Sequence, residues 1–219
     1  MLNVLKPKEI YIGCLDSNPI AEGGAKILQD SGVKVNIGIL ETACKTLLEP
    51  FNKWSKGSFV FFKWAQRLDG TIDNGVISTL ESRKHVHALR NCCDLIVIGG
   101  STVREDEPYL DARLVNGKAP DVLILSNRND FDRTLPLFNV PNRRVFIEST
   151  LDRMKEYSLI MIEGGPNMFS YVKDFVDWYL VYIAPKIGNG AVSIGKTSAE
   201  FEVLHAFSNG DMQLWMKSK

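Results

Sequence analysis

Two short stretches of this chain place chemically capable side chains beside a flexible backbone. In "IGGSTVREDEPYLDAR", residues 98–113, an apolar run ends in two glycines, then hydroxyls, acids and two arginines. In "IMIEGGPNMFSYV", residues 160–172, an apolar run ends in Glu-Gly-Gly-Pro and a helix-like segment. Beyond the carboxyl end of a strand, glycines let the main chain approach a ligand. A helix starting there offers free N–H groups to an anion. Gly99, Gly100, Gly164 and Gly165 therefore suit a diphosphate, and Ser101 or Thr102 could cap a helix while touching phosphate. Pro166 fits a first helical turn, where its missing N–H costs nothing. Capping alone explains the hydroxyls but not Asp106 and Arg113 so close behind, nor Glu163 at a strand tip. Two such turns in one sheet point to a nucleotide-like ligand.

Other chemistries find less support. Neither turn is G-x-G-x-x-G, and no G-x-x-x-x-G-K-[ST] occurs, so the two common phosphate-loop fingerprints fail. Gly188-Asn189-Gly190 reads as a mobile loop first and a ligand contact second. His85 and His87 are two apart and cannot share a helix face, while His205 stands alone in an apolar run. All three read as structural, and no metal site is expected. The H-x-E and P-C-x-x-C elements of a zinc deaminase are missing. Arg90, taken by itself, reads as a solvated helix face. Lys63 interrupts "FVFFKWAQ" and suits either the solvent face of an alternating strand or an inward lysine at the sheet's end.

The elements that would position these groups follow from periodicity and punctuation. Residues 9–13 and 33–37 read as strands, residues 22–31 as a helix ending at Gly32, and 41–54 as a second helix. "NKWSKGS" reads as a connector. A larger unit then opens with the strand "FVFFKWAQ" and the turn chemistry of "LDGTIDNG". "STLE" at 78–81 has capping-box spacing and opens a helix to about Cys92. Strands follow at 94–98, 121–125, 144–148 and 158–162, with helices near 101 and from 166. That alternation predicts an α/β sheet with parallel strands. "DWYLVYIAP" and Asn209-Gly210 between two strand-like runs add an antiparallel hairpin at the end.

The 219 residues carry 26 Lys+Arg and 26 Asp+Glu, and this zero net charge argues against a general nucleic-acid binder. No stretch has the apolar length to span a bilayer, and no signal-peptide layout is present. Four cysteines without C-x-x-C spacing read as reduced packing residues. A cytoplasmic protein is the expectation.

Taken in order, "KWAQRLDG", "RKHVHALRNCCDLIVIGGSTVREDEPYLDAR", "IEGGPNMF" and "VYIAPKIGNG" resemble the C-terminal reductase domain of the bacterial bifunctional riboflavin-biosynthesis deaminase/reductase family. The resemblance covers residues 58–190. "LDSNPIAEGGAKILQDSGVKVNIGIL" resembles the tail of that family's deaminase domain, past its zinc motifs. It implies a division into residues 1–54, a deaminase remnant without its zinc site, and residues 55–219, the reductase, within a longer protein.

The implied fold is dihydrofolate-reductase-like: a mixed, mostly parallel sheet flanked by helices, with the C-terminal hairpin. The implied activity is NADPH-dependent reduction of 5-amino-6-(5-phosphoribosylamino)uracil to its ribitylamino product, in a homodimer. By position, the resemblance puts Gln66, Thr102, Asp106, Ser126 and the run Gly165, Pro166, Asn167, Met168, Phe169, Ser170, Tyr171 on the cofactor side. Arg90, Leu110, Arg113 and Glu163 fall on the substrate side, and Asp106 is the candidate for acid or orienting work.

Two departures stand out. The family's G-x-S-x-W stretch after "LDG" is shortened to "TIDNGVIST", with Val76 where tryptophan is expected. Its serine before "LDG" is replaced by Arg67: either Arg67 takes a phosphate role or cofactor binding differs in this protein, and otherwise it is an exposed charge beside a turn. A same-fold reductase of another pyrimidine or a pterin, and a non-catalytic nucleotide-binding module, are the alternative readings.

Overall fold

The computed structural model describes residues 7–18, 22–73, 75–195 and 198–219. They form two compact units that meet in sequence at Lys56 and Gly57. Asn74, in the expected Asn-Gly turn, lies outside the described residues.

In the first unit, β1 (Glu9–Ile12) and β2 (Lys34–Ile37) pair in parallel from Glu9↔Lys34 to Ile12↔Ile37. Between them runs α1 (Gly24–Asp30), and Gly32 follows it with φ 78°, a left-handed turn that glycine adopts without strain. The next helix, α2 (Glu41–Lys56), extends into the expected connector, so "NKWSK" is helical and the break falls at Gly57. Ordinary helix formers sustain the last turn until glycine ends it, and Lys53 and Lys56 there complement the helix dipole. None of the described residues of this unit is buried, and Leu47, Phe51 and Trp54 on α2 are exposed.

The second unit is built on β3 (Phe59–Arg67), β4 (Leu95–Gly99), β5 (Asp121–Leu125), β6 (Val145–Glu148), β7 (Leu159–Glu163), β8 (Trp178–Ala184), β9 (Phe201–Asn209) and β10 (Asp211–Ser218). They form one sheet in the order β6-β5-β4-β7-β3-β8-β10-β9. Neighbours from β6 through β8 are parallel, and the β8-β10 and β10-β9 pairs are antiparallel. The expected mixed, mostly parallel sheet with a terminal hairpin is present, and Gly210 makes the turn at φ 81°.

Strands covered on both faces read as continuous apolar runs, because each alternate residue finds a core. Along β3, Val60, Phe62 and Trp64 join one cluster with Phe169 and Val172, while Phe59 and Phe61 join the opposite one with Val103 and Leu110. Phe62, Ile96, Ile124 and Ile162 are completely buried. Each such side chain contributes roughly 1.5–3 kcal/mol relative to exposure.

Three helices cover this sheet: α3 (Leu80–Cys92), α4 (Gly100–Asp106) and α5 (Pro166–Val172). The cap of α3 is Thr79 rather than Ser78; its hydroxyl accepts from Ser82 N–H at 3.4 Å, so the helix starts one residue later than expected and Glu81 does not close a capping box. Asp211 explains the shift, since its carboxylate accepts from the Thr79 N–H at 2.9 Å and fixes that residue as the helix entrance. No helix among the described residues is long and apolar enough to cross a membrane.

Candidate active site

The carboxyl ends of β3, β4, β5 and β7 open onto a cavity of about 1030 Å³. That is large for a single small ligand and suits two bound side by side. Both glycine turns form its wall. At Gly100 a Cβ would stand 2.8 Å from Ser126, and at Gly164 it would stand 2.8 Å from Met168, so neither site admits a side chain without displacing a neighbour. The two helices begin at Gly99 and Gly165 without a side-chain cap. Ser101 and Thr102 thus do not cap α4 as expected: the glycine takes the cap position, and Thr102 lines the cavity instead.

At the centre is Glu163, the last residue of β7. Parallel register puts Lys63 of β3 directly across from it, and the Lys63 ammonium donates to Oε2 at 3.3 Å. Arg90 reaches the same carboxylate from α3, with Nε to Oε1 at 2.9 Å and Nη2 to Oε2 at 3.1 Å. Only 12% of the Arg90 side chain and 15% of Lys63 is exposed, so Arg90 is no solvated face and Lys63 points inward. Burial works to raise the Glu163 pKa, but the Arg90 and Lys63 charges outweigh it and hold the carboxyl well below the usual range. Glu163 therefore stays ionised and anchors two cations.

Asp106, at the end of α4, also lines the cavity but lives in a different field. The residue as a whole is solvent-exposed, yet partial enclosure of its carboxyl, and then the Glu105 charge, raise its pKa. Raised acidity on one carboxyl and lowered acidity on the other separate a potential proton donor from a fixed anion.

The segment after α4 is held from behind. Arg143 donates to the carbonyls of Leu110 at 2.9 Å and Tyr109 at 2.7 Å, and to that of Leu137. Burial lowers the pKa of this guanidinium to about 10. Its grip keeps Leu110, a non-glycine residue at φ 52°, on the cavity wall. The next residue, Asp111, gives its carbonyl to Arg90 at 3.3 Å and its carboxylate to Arg113 at 2.6 Å. Arg113 also lies over the Tyr109 ring, 4.4 Å from its centroid, outside the cavity lining. His87 is buried and neutral; burial and then Arg90 lower its pKa to about 4, and its Nδ1 accepts from Leu114 N–H.

Of the residues singled out from sequence, Arg90, Thr102, Asp106, Leu110, Ser126, Glu163, Gly165, Pro166, Asn167, Met168 and Tyr171 line the cavity. Gln66 is off the wall and accepts from the indole of Trp64, a lining residue, at 2.7 Å. Phe169 is a core residue packed on Phe62, with ring centroids 5.5 Å apart. Ser170 and Arg113 lie off the wall. Residues that the sequence did not single out also line it, among them Trp64, Ile72, Ile77 and Val192. Arg67 is 8% exposed and donates to Asp73 O at 2.7 Å, so it is neither a surface charge nor placed on the cavity wall. The loop around Gly188 is likewise tied down, through Gly188 N–H to Asp69 at 2.8 Å.

Comparison with known proteins places these features in context. The profile of the RibD C-terminal domain matches residues 58–206. The riboflavin biosynthesis protein RibD of Aquifex aeolicus is 28% identical over 228 residues, covering 86% of this chain and 64% of its own. The corresponding Synechocystis protein is 34% identical over 155 residues, 66% of this chain and 42% of its own. The chain thus spans only part of these relatives. Among solved structures, a diaminohydroxyphosphoribosylaminopyrimidine deaminase/5-amino-6-(5-phosphoribosylamino)uracil reductase from Thermotoga maritima superposes with a TM-score of 0.73 at 25% identity, covering 97% of this chain and 72% of that one.

Proposed function

The chain belongs to the RibD C-terminal domain family, and from that premise we propose that it is an NADPH-dependent reductase of 5-amino-6-(5-phosphoribosylamino)uracil in riboflavin biosynthesis. The observation that carries this reading is convergence: both glycine turns, Asp106 and the Lys63–Glu163–Arg90 cluster face one cavity. The wall fits a dinucleotide, because Gly100 and Gly164 leave backbone uncovered where a side chain would intrude. Thr102, Ser126 and the turn at Gly165 would hold the cofactor, which supplies a hydride to a carbon such as the substrate's C1′.

The chain's own residues handle position and protons. Opening the sugar breaks the C1′–O4′ bond, so O4′ takes a proton while the exocyclic nitrogen gives one up. That nitrogen regains a proton as C1′ is reduced. Asp106, which lines the cavity and whose pKa is raised by partial burial and by Glu105, is assigned the donor role. Glu163 fixes the Lys63 ammonium and the Arg90 guanidinium at the strand tips, where they orient polar groups of the substrate. Leu110 supplies an apolar edge, and Arg113 is assigned the phosphate from just outside the wall. Residues 1–54 are read as the end of a deaminase domain, and the assembly as a homodimer, which sedimentation would check.

NADPH oxidation with freshly generated substrate tests the assignment. Turnover is expected; a chain that binds no NADPH would sink it. A second reading has its own support. Lys63 and Arg90, on the wall, both face Glu163, and the wall also carries Asp73, Glu105 and Asp106. A neutral pyrimidine or pterin would meet less repulsion there than a phosphate ester. Equal turnover of phosphorylated and dephosphorylated substrate would favour that reading.

A further inference from the structure

Arg67 and the shortened segment after it are departures from the family pattern that the proposed reaction does not use, and the structure joins them. The segment 67–73 and the loop 186–193 are stitched along their length. Leu68 N–H donates to Lys186 O and Ile72 N–H to Val192 O, each at 2.9 Å, and Thr71 bridges Ser193. Two carboxylates add to the seam. Asp69 accepts from Gly188 N–H at 2.8 Å, and Asp73 accepts from Ala191 N–H at 2.9 Å and Val192 N–H at 3.3 Å. Arg67 lies beneath, donating to Asp73 O at 2.7 Å and to the Thr71 hydroxyl at 3.2 Å.

The glycines of "GNG" are explained by this contact. A Cβ at Gly188 would stand 2.6 Å from Arg67 Cδ, and one at Gly190 would stand 1.9 Å from Asp73 Oδ1, a carboxylate already pinned by two N–H groups. On its other side the seam delivers Ile72 and Val192 to the cavity wall. Ile72 Cδ1 comes within 3.6 Å of where a Cβ on Gly165 would be, so it sits against the turn that opens α5.

We propose that Arg67, Asp69 and Asp73 form a clasp whose role is to position Ile72 and Val192 as the apolar wall over the Gly165 turn, in place of the longer segment this chain lacks. The three are positioning residues; they act through the wall. The clasp is specific to nicotinamide-cofactor affinity, and in that respect it rests on the functional reading above. Nη1 of Arg67 serves the Asp73 carbonyl and the Thr71 hydroxyl together, so one nitrogen ties both ends of the segment.

The test uses the full chain and NADPH as the probe, with wild type, Arg67→Ser, Asp73→Asn, Gly190→Ala and Arg67→Lys. Each of the first three should weaken NADPH binding about tenfold, the scale of one charged hydrogen bond, and in Arg67→Ser and Gly190→Ala kcat should stay within about twofold. Arg67→Lys should recover part of the loss. Amide hydrogen exchange should quicken at Ile72, Ala191 and Val192 in Arg67→Ser and Asp73→Asn, while residues 178–184 stay protected. Faster exchange in these variants with NADPH affinity unchanged overturns the positioning role and leaves the functional reading standing. Unchanged exchange overturns the clasp itself. A wild-type chain that binds no NADPH overturns the functional reading and, with it, the cofactor role given to the clasp.

Discussion

The turns at Gly99-Gly100 and Gly164-Gly165 look alike in sequence and open onto the same cavity, yet the pKa values of their acids are shifted in opposite directions. At the second turn Glu163 occupies the strand tip, buried, with Arg90 and Lys63 holding it ionised. At the first the strand tip is glycine, and the acid comes a helix later as Asp106, pushed towards protonation by enclosure and by Glu105. The lesson is that one local motif sets only where backbone is open. Which way each acid is shifted depends on its neighbours: Glu105 and partial burial for Asp106, the Arg90 and Lys63 charges for Glu163. Glu163 works as a fixed anion because two strands in parallel register and a helix converge on it.

The contrast can be broken most severely at Glu163. Glu163→Gln strands two buried cations, and a loss of about 3–5 kcal/mol in urea unfolding is expected. Turnover should fall with it, whereas a stability change under about 1 kcal/mol would mean that the cluster is not the anchor described. Asp106→Asn comes next: kcat should drop about 100-fold with NADPH affinity nearly unchanged, read by stopped turnover and by fluorescence titration. Equal losses in both would move Asp106 from proton transfer to binding. Arg113→Ala should raise KM for the phosphorylated substrate about tenfold and leave the dephosphorylated one alone. No difference between the two would remove the phosphate from Arg113.

The smallest effect is in pH, and it has opposite signs at the two acids. The folded pKa of Glu163 is lowered, so its contribution is complete above its unfolded value of about 4.3 and is lost as pH falls through the folded one. That of Asp106 is raised, so its contribution is present below about 3.9 and is lost as pH rises through the folded value. Urea midpoints from about pH 3 to about pH 7 should show a weaker acid loss in Glu163→Gln, and a slight gain at the neutral end in Asp106→Asn. Parallel curves for the two variants would contradict the assignment.

Much of this was legible because it is local. The runs at 95–98, 122–125 and 159–162 are apolar throughout and become doubly covered strands, and Asn209-Gly210 becomes the hairpin turn. The two glycine turns follow apolar strands, as their residue types suggest, and line one cavity. What escaped depends on distant partners. Arg90 looks like a surface residue of α3 until Glu163, 73 positions away, is brought to it. Asp211 moves the start of that helix from 132 positions away. The seam at Arg67 and Asp73 joins segments more than a hundred residues apart. The first unit shows the converse, since Leu47 and Phe51 have helical spacing and are helical, but their apolar face is not buried. Periodicity reports the element; only tertiary partners decide burial.

The place of β3 in the sheet also sets a timetable for synthesis. It is the earliest strand of its unit, but its neighbours are β7 and β8, with Phe59 across from Leu159 and Phe61 across from Trp178. At about 5–20 residues per second, a ribosome adds the intervening hundred residues in roughly 5–20 s. For that interval the run from Phe59 to Trp64, later among the most buried in the molecule, has no strand to pair with. It is the segment a nascent-chain chaperone would meet.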